Sequence, residues 1–290
     1  MSSPFKRPVV LAGTAAAALA VVGAIAFAVI TSRPDETPAP TPVPPTATAV
    51  VTPAEAAAPF DFRSETPYAS VELTLPPALK PYPDLHARLF SAGVRDLRQF
   101  TEGSQSDRTE AGGDMGLGAY EKTIEYDTPV ETGKLFSLAR TDYEFTGGAH
   151  GLSSYSAILW DKASKQQITA AQLFRPGADL SVLDTALCAA LNAEKAKRNP
   201  GVETLTLGTV EGEIWSCPTA AGMPFVLAAG STPGKAGGLT FLIGPYLVGS
   251  YAEGSFWVNV PQSVFRALIA PAYADEFAGD PTPLPEEDGQ

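Results

Sequence analysis

The chain has 290 residues, 44% of them apolar, enough for one large or two small domains with a packed core. Its formal net charge is −12, which argues against nucleic acid or an anionic membrane surface as partner. Acidity by itself is equally what solubility asks of many exported proteins, and a basic protein partner is compatible with it.

Met1–Pro8 carries Lys6 and Arg7, and Val9–Ile30 then runs without a charge. As a helix this run rises about 33 Å, the thickness of a bilayer's hydrocarbon core. Lys6 and Arg7 place the N-terminus in the cytoplasm by the positive-inside rule. A cleaved signal peptide is the rival reading, because Ala26-Phe27-Ala28 resembles a cleavage site. The run is longer than a typical signal core, which favours a transmembrane helix or uncleaved signal anchor. Both readings export everything after Thr31 to the periplasm or another extracytoplasmic space.

Residues 31–59 form a Pro-rich linker, with Thr37–Pro45 as an extended, polyproline-like spacer. Residues 1–59 hold three basic groups (Lys6, Arg7, Arg33) and three acidic ones (Asp35, Glu36, Glu55), so the exported part carries the whole −12.

Tyr68–Leu75 alternates as a strand, stopped by Pro76 and Pro77. From Asp84, a candidate N-cap, Leu85, Leu89, Phe90, Val94, Leu97 and Phe100 recur at helical spacing. His86 falls in the first turn, at the surface or partly buried. Thr101–Gly116 is polar and reads as a loop. Leu117–Val130, Lys134–Phe145 and Ser153–Trp160 read as strands of an antiparallel meander, the first two joined by a turn at Glu131–Gly133. Asp161–Lys165 is a hairpin turn, and Ile168, Leu173 and Phe174 are packing residues. Ala178–Arg198 is a second helix with Leu180, Leu183, Leu187 and Leu191 on its apolar stripe, ended by Asn199-Pro-Gly201. Lys195, Lys197 and Arg198 suit its C-terminal end.

The cysteines are Cys188 and Cys217. Outside the cytoplasm this even count predicts one disulfide, pinning the second helix to the segment near Trp215. Two separated cysteines and two separated histidines lack metal-ligand spacing, so no metal and no cofactor is expected.

Pro224–Gly230, Gly237–Gly249 and Ser255–Val260 are strand-like, and Pro261–Ile269 is a short final helix. From Pro271 the acidic tail reads as disordered. The fold class is α+β: a mostly antiparallel sheet with two main packing helices, preceded by the N-terminal transmembrane helix and Pro-rich linker. The exported domain divides into an N-terminal part at 60–135, a C-terminal part at 136–270 and the tail at 271–290.

Chemistry centres on Tyr143-Glu-Phe-Thr-Gly-Gly-Ala-His-Gly151. Paired glycines permit positive φ, so Gly147, Gly148 and Gly151 form a tight loop displaying His150 between two strands. Asp142, Glu144 and Asp161 lie near it in sequence, and Ser153 and Ser154 follow. A histidine–carboxylate–serine set is one reading, a structural histidine a second, and a ligand-contact histidine a third. No Gly-x-Ser-x-Gly elbow, His-Glu-x-x-His helix or phosphate loop is present, so no enzyme is expected. Tyr143, Tyr155, Tyr246 and Tyr251 are either sheet packing or a sugar-stacking surface.

Thr146-Gly-Gly-Ala-His150, the strand ending in Asp161, Ile168–Phe174, Phe241-Leu-Ile-Gly-Pro-Tyr246, Tyr251-Ala-Glu-Gly254 and Val258-Asn-Val-Pro261 together resemble the extracytoplasmic domain of RsiV-type anti-sigma factors and PdaC-type peptidoglycan deacetylases, two adjoining domains of unknown function there. The resemblance spans about residues 68–270. It implies recognition of lysozyme or a related muramidase in cell-envelope defence, as RsiV-type proteins do, with acidic charge steering a basic partner. The implied contact surface comprises His150, Ser153, Ser154, Pro245, Tyr246 and Tyr251, on loops shaped by Gly147, Gly148, Gly151, Gly249 and Gly254. The expected cytoplasmic tail is too short for a sigma-binding domain, and no deacetylase domain follows, so neither output is implied. The alternatives are a peptidoglycan- or glycan-binding envelope module and, third, a hydrolase.

Overall fold

The computed structural model describes residues 58–110, 118–209 and 211–284. The expected membrane helix, all but the end of the linker and the last residues of the tail lie outside the described residues. Among the described residues no helix is long and apolar enough to cross a membrane.

The chain enters a strand absent from the sequence reading, β1 (Asp61–Glu65), which turns back antiparallel on β2 (Ala69–Thr74). Alternation in β2 buries Ala69, Val71 and Leu73 on one face, and helix α1 (Pro83–Glu110) covers that face. This helix leads to β3 (Tyr120–Glu131), which lies parallel to β2. A helical crossover returns the chain in the same direction, as a parallel pair requires. Strands β4 (Leu135–Phe145) and β5 (Leu152–Asp161) continue as the expected antiparallel meander, and β6 (Gln166–Gln167) adds a two-residue edge. After a single turn of helix, α2 (Ala170–Leu173), the second long helix α3 (Ser181–Arg198) follows.

Instead of one sheet there are two among the described residues. Strands β7 (Phe225–Ala229), β8 (Ala236–Ile243) and β9 (Phe256–Pro261) form a separate three-stranded antiparallel sheet, followed by the short helix α4 (Gln262–Phe265). The side-chain period of two explains the split. Phe136 and Leu138 of β4 join Ile158 and Trp160 of β5 in the core beneath α1. Their neighbours Ala139 and Ala157 point the other way and meet Val226 and Leu242 of the second sheet. That sheet's far face, with Leu239, Phe241, Phe256 and Val258, packs on Leu183, Leu187 and Leu191 of α3. The layers run helix, sheet, sheet, helix, and every residue of β8 is buried.

Four expectations are corrected. Residues Thr101–Glu110 are helical, and the buried side of α1 continues through them at Ser104 and Arg108, whose polar groups find partners. Thr101 and Ser104 donate to the carbonyls of Leu97 and Phe100 at 3.0 and 2.7 Å, and Arg108 reaches the Gly118 carbonyl. His86 is buried, stacked on Phe60 and bonded to the Pro59 carbonyl at 3.0 Å, where it closes the entrance of the chain. Lys195 is also buried, reaching inward instead of decorating the helix end. The chain from Pro271 to Leu284 is folded: Phe277 has no exposed surface, and buried Glu276 accepts from the Thr132 hydroxyl and the Lys134 amide, both at 2.7 Å. Net acidity signalled disorder there, but this carboxylate is matched to two donors of the β3–β4 turn.

Candidate functional site

Strands β4 and β5 deliver the glycine loop, and β8 and β9 deliver the loop of residues 244–255. Both loops lie at the same end of the two sheets. Gly147 and Gly148 take φ of +95° and +97°, so the turn depends on them. Gly151 is required for another reason: a Cβ there would lie 2.4 Å from the Tyr143 ring.

Three rings meet where the loops touch. His150 stacks on Tyr251 with centroids 3.6 Å apart and an interplanar angle of 14°. Tyr246 lies 5.5 Å from Tyr251 and 6.3 Å from His150, and its hydroxyl is 3.3 Å from His150 Nε2. The Gly151 carbonyl accepts from His150 Nδ1 and from the Tyr251 hydroxyl, both at 3.0 Å. A carbonyl only accepts, so Nδ1 carries the proton, and in the neutral ring Nε2 is the acceptor facing Tyr246. Tyr246 holds a φ of +66°, uncommon for a residue with a side chain, and is half-exposed. Leu247, next to it in the chain, and Leu152, two residues after His150, are half-exposed.

The second loop is clamped from below. Ser250 and Glu253 form a capping box around a single three-residue turn. The other oxygen of Glu253 receives the Lys195 ammonium at 2.5 Å, and the same ammonium donates to the Val248 carbonyl at 2.6 Å. Arg198, one turn on, donates to the Ser255 carbonyl at 2.6 Å. Gly249 lies against the Glu253 carboxylate, and Gly254 turns the chain at φ +70°. A disulfide joins Cys188 to Cys217, which fixes α3, the helix that supplies both cations.

Of the residues singled out from sequence, His150, Tyr246 and Tyr251 therefore come together, and Pro245, preceding Tyr246, is half-buried. Ser153 and Ser154 do not join them. They lie on β5 opposite Tyr143 and Asp142, Ser154 exposed and Ser153 half-buried. The carboxylates are engaged elsewhere. Asp142 chelates Arg140 at 2.5 and 2.7 Å, and Glu144 pairs with Lys122 at 2.6 Å. Burial pushes the Asp161 carboxyl up, but the Ser164 amide, the Tyr273 hydroxyl and the Ala163 amide outweigh it and hold the group below its ordinary value. A histidine–carboxylate–serine set is not assembled around His150. Tyr155 is drawn into the intersheet layer, edge-on to Trp257 at 5.7 Å and bonded to Ser255 at 2.8 Å.

The clamp was missed from sequence, although Ser250-x-x-Glu253 carries a legible capping-box signature. Lys195 gave no signal, because a lysine near a helix C-terminus ordinarily faces water. A groove of about 400 Å³ beside β5, lined by Tyr155, Ala157, Ile168, Met223, Pro224 and Phe225 among others, was also missed.

No protein-family model and no curated protein matches the chain. Among solved structures it is similar to a member of the DUF3298 family from Bacteroides fragilis, at 15% identity and a TM-score of 0.49, over 74% of this chain and 95% of that one. It is also similar to a DUF3298 family protein from Pseudomonas aeruginosa, at 15% identity and a TM-score of 0.45, over 77% of this chain and 99% of that one.

Proposed function

We propose that this chain is an extracytoplasmic binding protein, anchored through residues 9–30, whose contact surface is the three-ring cluster and its apolar rim. The observation that carries the reading is Tyr246: a half-exposed aromatic held at positive φ, against His150 and Tyr251, on a loop clamped by a buried lysine. Aromatics on a rigid platform are what binding hot spots consist of. The disulfide supports an oxidising compartment. The net charge of −12 supports a basic partner, and the resemblance in the glycine-loop and second signatures supports lysozyme or a related muramidase as that partner.

The test is titration calorimetry of the full chain against lysozyme at low and at physiological salt. Binding is expected, weaker at the higher salt because charge steering is screened. Tyr246→Ala should weaken it by about tenfold or more. An absence of heat at low salt removes the lysozyme reading. The exposed Tyr246 ring favours one alternative, stacking on a sugar of peptidoglycan. Sedimentation of the chain with isolated sacculi, lost in the same variant, would support that instead.

A further inference from the structure

The hairpin partner of β5 leaves it early. Strand β6 pairs only with Trp160 and Asp161, and the Ile168 amide makes one more bond, to the Leu159 carbonyl at 2.8 Å. The chain then turns away at Thr169, the N-cap of α2. Pairing parity shows what is left. On the other side, the Lys162 amide bonds the Lys134 carbonyl at 2.8 Å, so even-numbered residues of β5 face β4. Odd-numbered residues face outward, and the amides and carbonyls of Ser153, Tyr155 and Ala157 have no hydrogen-bond partner among the described residues.

Open edges invite pairing, and natural sheets blunt them with charge, proline, bulges, brevity or a covering loop. The start of this edge is bordered by the residue-244 loop, since a Cβ at Gly244 would lie 3.5 Å from the Ser153 carbonyl oxygen; from Tyr155 to Ala157 none of the other devices operates. The edge sequence is Leu152-Ser-Ser-Tyr-Ser-Ala157, without charge or proline, and the β4–β5 register runs unbroken for ten residue pairs. Beside this edge lies the groove walled by Ile168, Ala170, Met223, Pro224 and Phe225. A free ladder next to an apolar trough is the arrangement in which an extended peptide adds a strand.

We propose that the outer edge of β5 is a strand-addition site for an extended segment of a partner protein, with an uncharged centre and basic flanks. Charge identifies the occupant: no residue lining the groove is charged, while the part of the chain after residue 59 carries the whole −12. The site begins at Leu152, next to the three-ring cluster. It rests on the reading of the chain as a protein-binding domain, and not on lysozyme as the partner.

The experiment uses the full chain and a displayed library of linear peptides with uncharged centres and either basic or acidic flanks. Basic-flanked peptides should be enriched, and a selected peptide should slow hydrogen exchange at the Ser153, Tyr155 and Ala157 amides. Ser153→Pro and Ala157→Pro each delete one outward amide without touching the β4 ladder, as edge prolines do. Together they should weaken the peptide by about tenfold or more, since two main-chain hydrogen bonds are lost. Three results overturn the proposal: no enrichment, enrichment without protection of those three amides, or equal enrichment of acidic flanks. Protection of the amides without peptide, lost on dilution, overturns it in favour of a second copy on the edge. Peptide binding in a chain that ignores lysozyme removes only the lysozyme reading.

Discussion

Truncating Phe277 to alanine tests whether the chain beyond Pro271 belongs to the fold. Phe277 has no exposed surface and sits edge-on to Phe265, with ring centroids 5.7 Å apart. It belongs to a core cluster drawn from several elements, including Leu239 on β8 and Val260 on β9, and bridges to Ala236. Losing a fully buried phenylalanine side chain removes burial of about 150 Å² and leaves a cavity, which together cost about 4 kcal/mol. With a guanidinium slope of about 5 kcal/mol per molar for a domain this size, the midpoint should fall by about 0.8 M. The assay is guanidinium unfolding of the full chain with its disulfide intact, followed by tryptophan fluorescence. Trp160 is buried under α1 and Trp257 lies between the sheets, so the signal reports both layers. A shift below about 0.2 M would show that Phe277 is not docked, and would return these residues to the disordered tail that their acidity suggests.

Three other outcomes are expected. Replacing both cysteines by serine should cost about 3.5 kcal/mol, from the loop entropy restored to the unfolded chain, read as a lower unfolding midpoint. Lys195→Met should destabilise by about 2 kcal/mol, below the full cost of breaking a buried pair because Glu253 can regain water. It should also free the loop of residues 244–255, so exchange at the Tyr246 and Tyr251 amides should quicken; unchanged exchange would mean that the clamp does not hold the loop. The third concerns Asp96. Burial pushes its carboxyl up, but hydrogen bonds from Lys122 and Arg140 prevail and hold it below its ordinary value. A depressed carboxyl contributes stability in full above its unfolded value, about 3.9, and loses it as pH falls through the lower folded value. Unfolding midpoints measured downward from pH 5 should therefore fall less steeply for Asp96→Asn than for the parent chain, and equal slopes would refute the assignment.

Periodicity made most elements legible. The apolar stripe at Leu85, Leu89, Val94 and Leu97, the alternation of Ile124 and Tyr126, and the Leu183–Leu187–Leu191 stripe each record a local preference that tertiary contacts reinforced. The loop expected at Thr101–Gly116 is helix as far as Glu110, because composition measures polarity, whereas buried Ser104 and Arg108 carry the packed side of α1 onward with their polar groups bonded. At the candidate site, Gly147, Gly148 and His150 were visible as a loop, and Tyr246 and Tyr251 as part of a second signature. Their stacking was not, because it joins residues about a hundred positions apart.

By itself, then, the sequence determined the α+β class, the two long helices, the strand-rich meander, and cysteines that can pair. These follow from local spacing and from the chemistry of single residues. Only the tertiary structure decided that β2 and β3 run parallel, that the strands form two sheets, and that Lys195 and Glu276 are buried. It also decided that three rings from two loops meet, and that β6 pairs with only the last two residues of β5. Each of these depends on which distant groups satisfy one another's hydrogen bonds and apolar surface, and no local pattern carries that information.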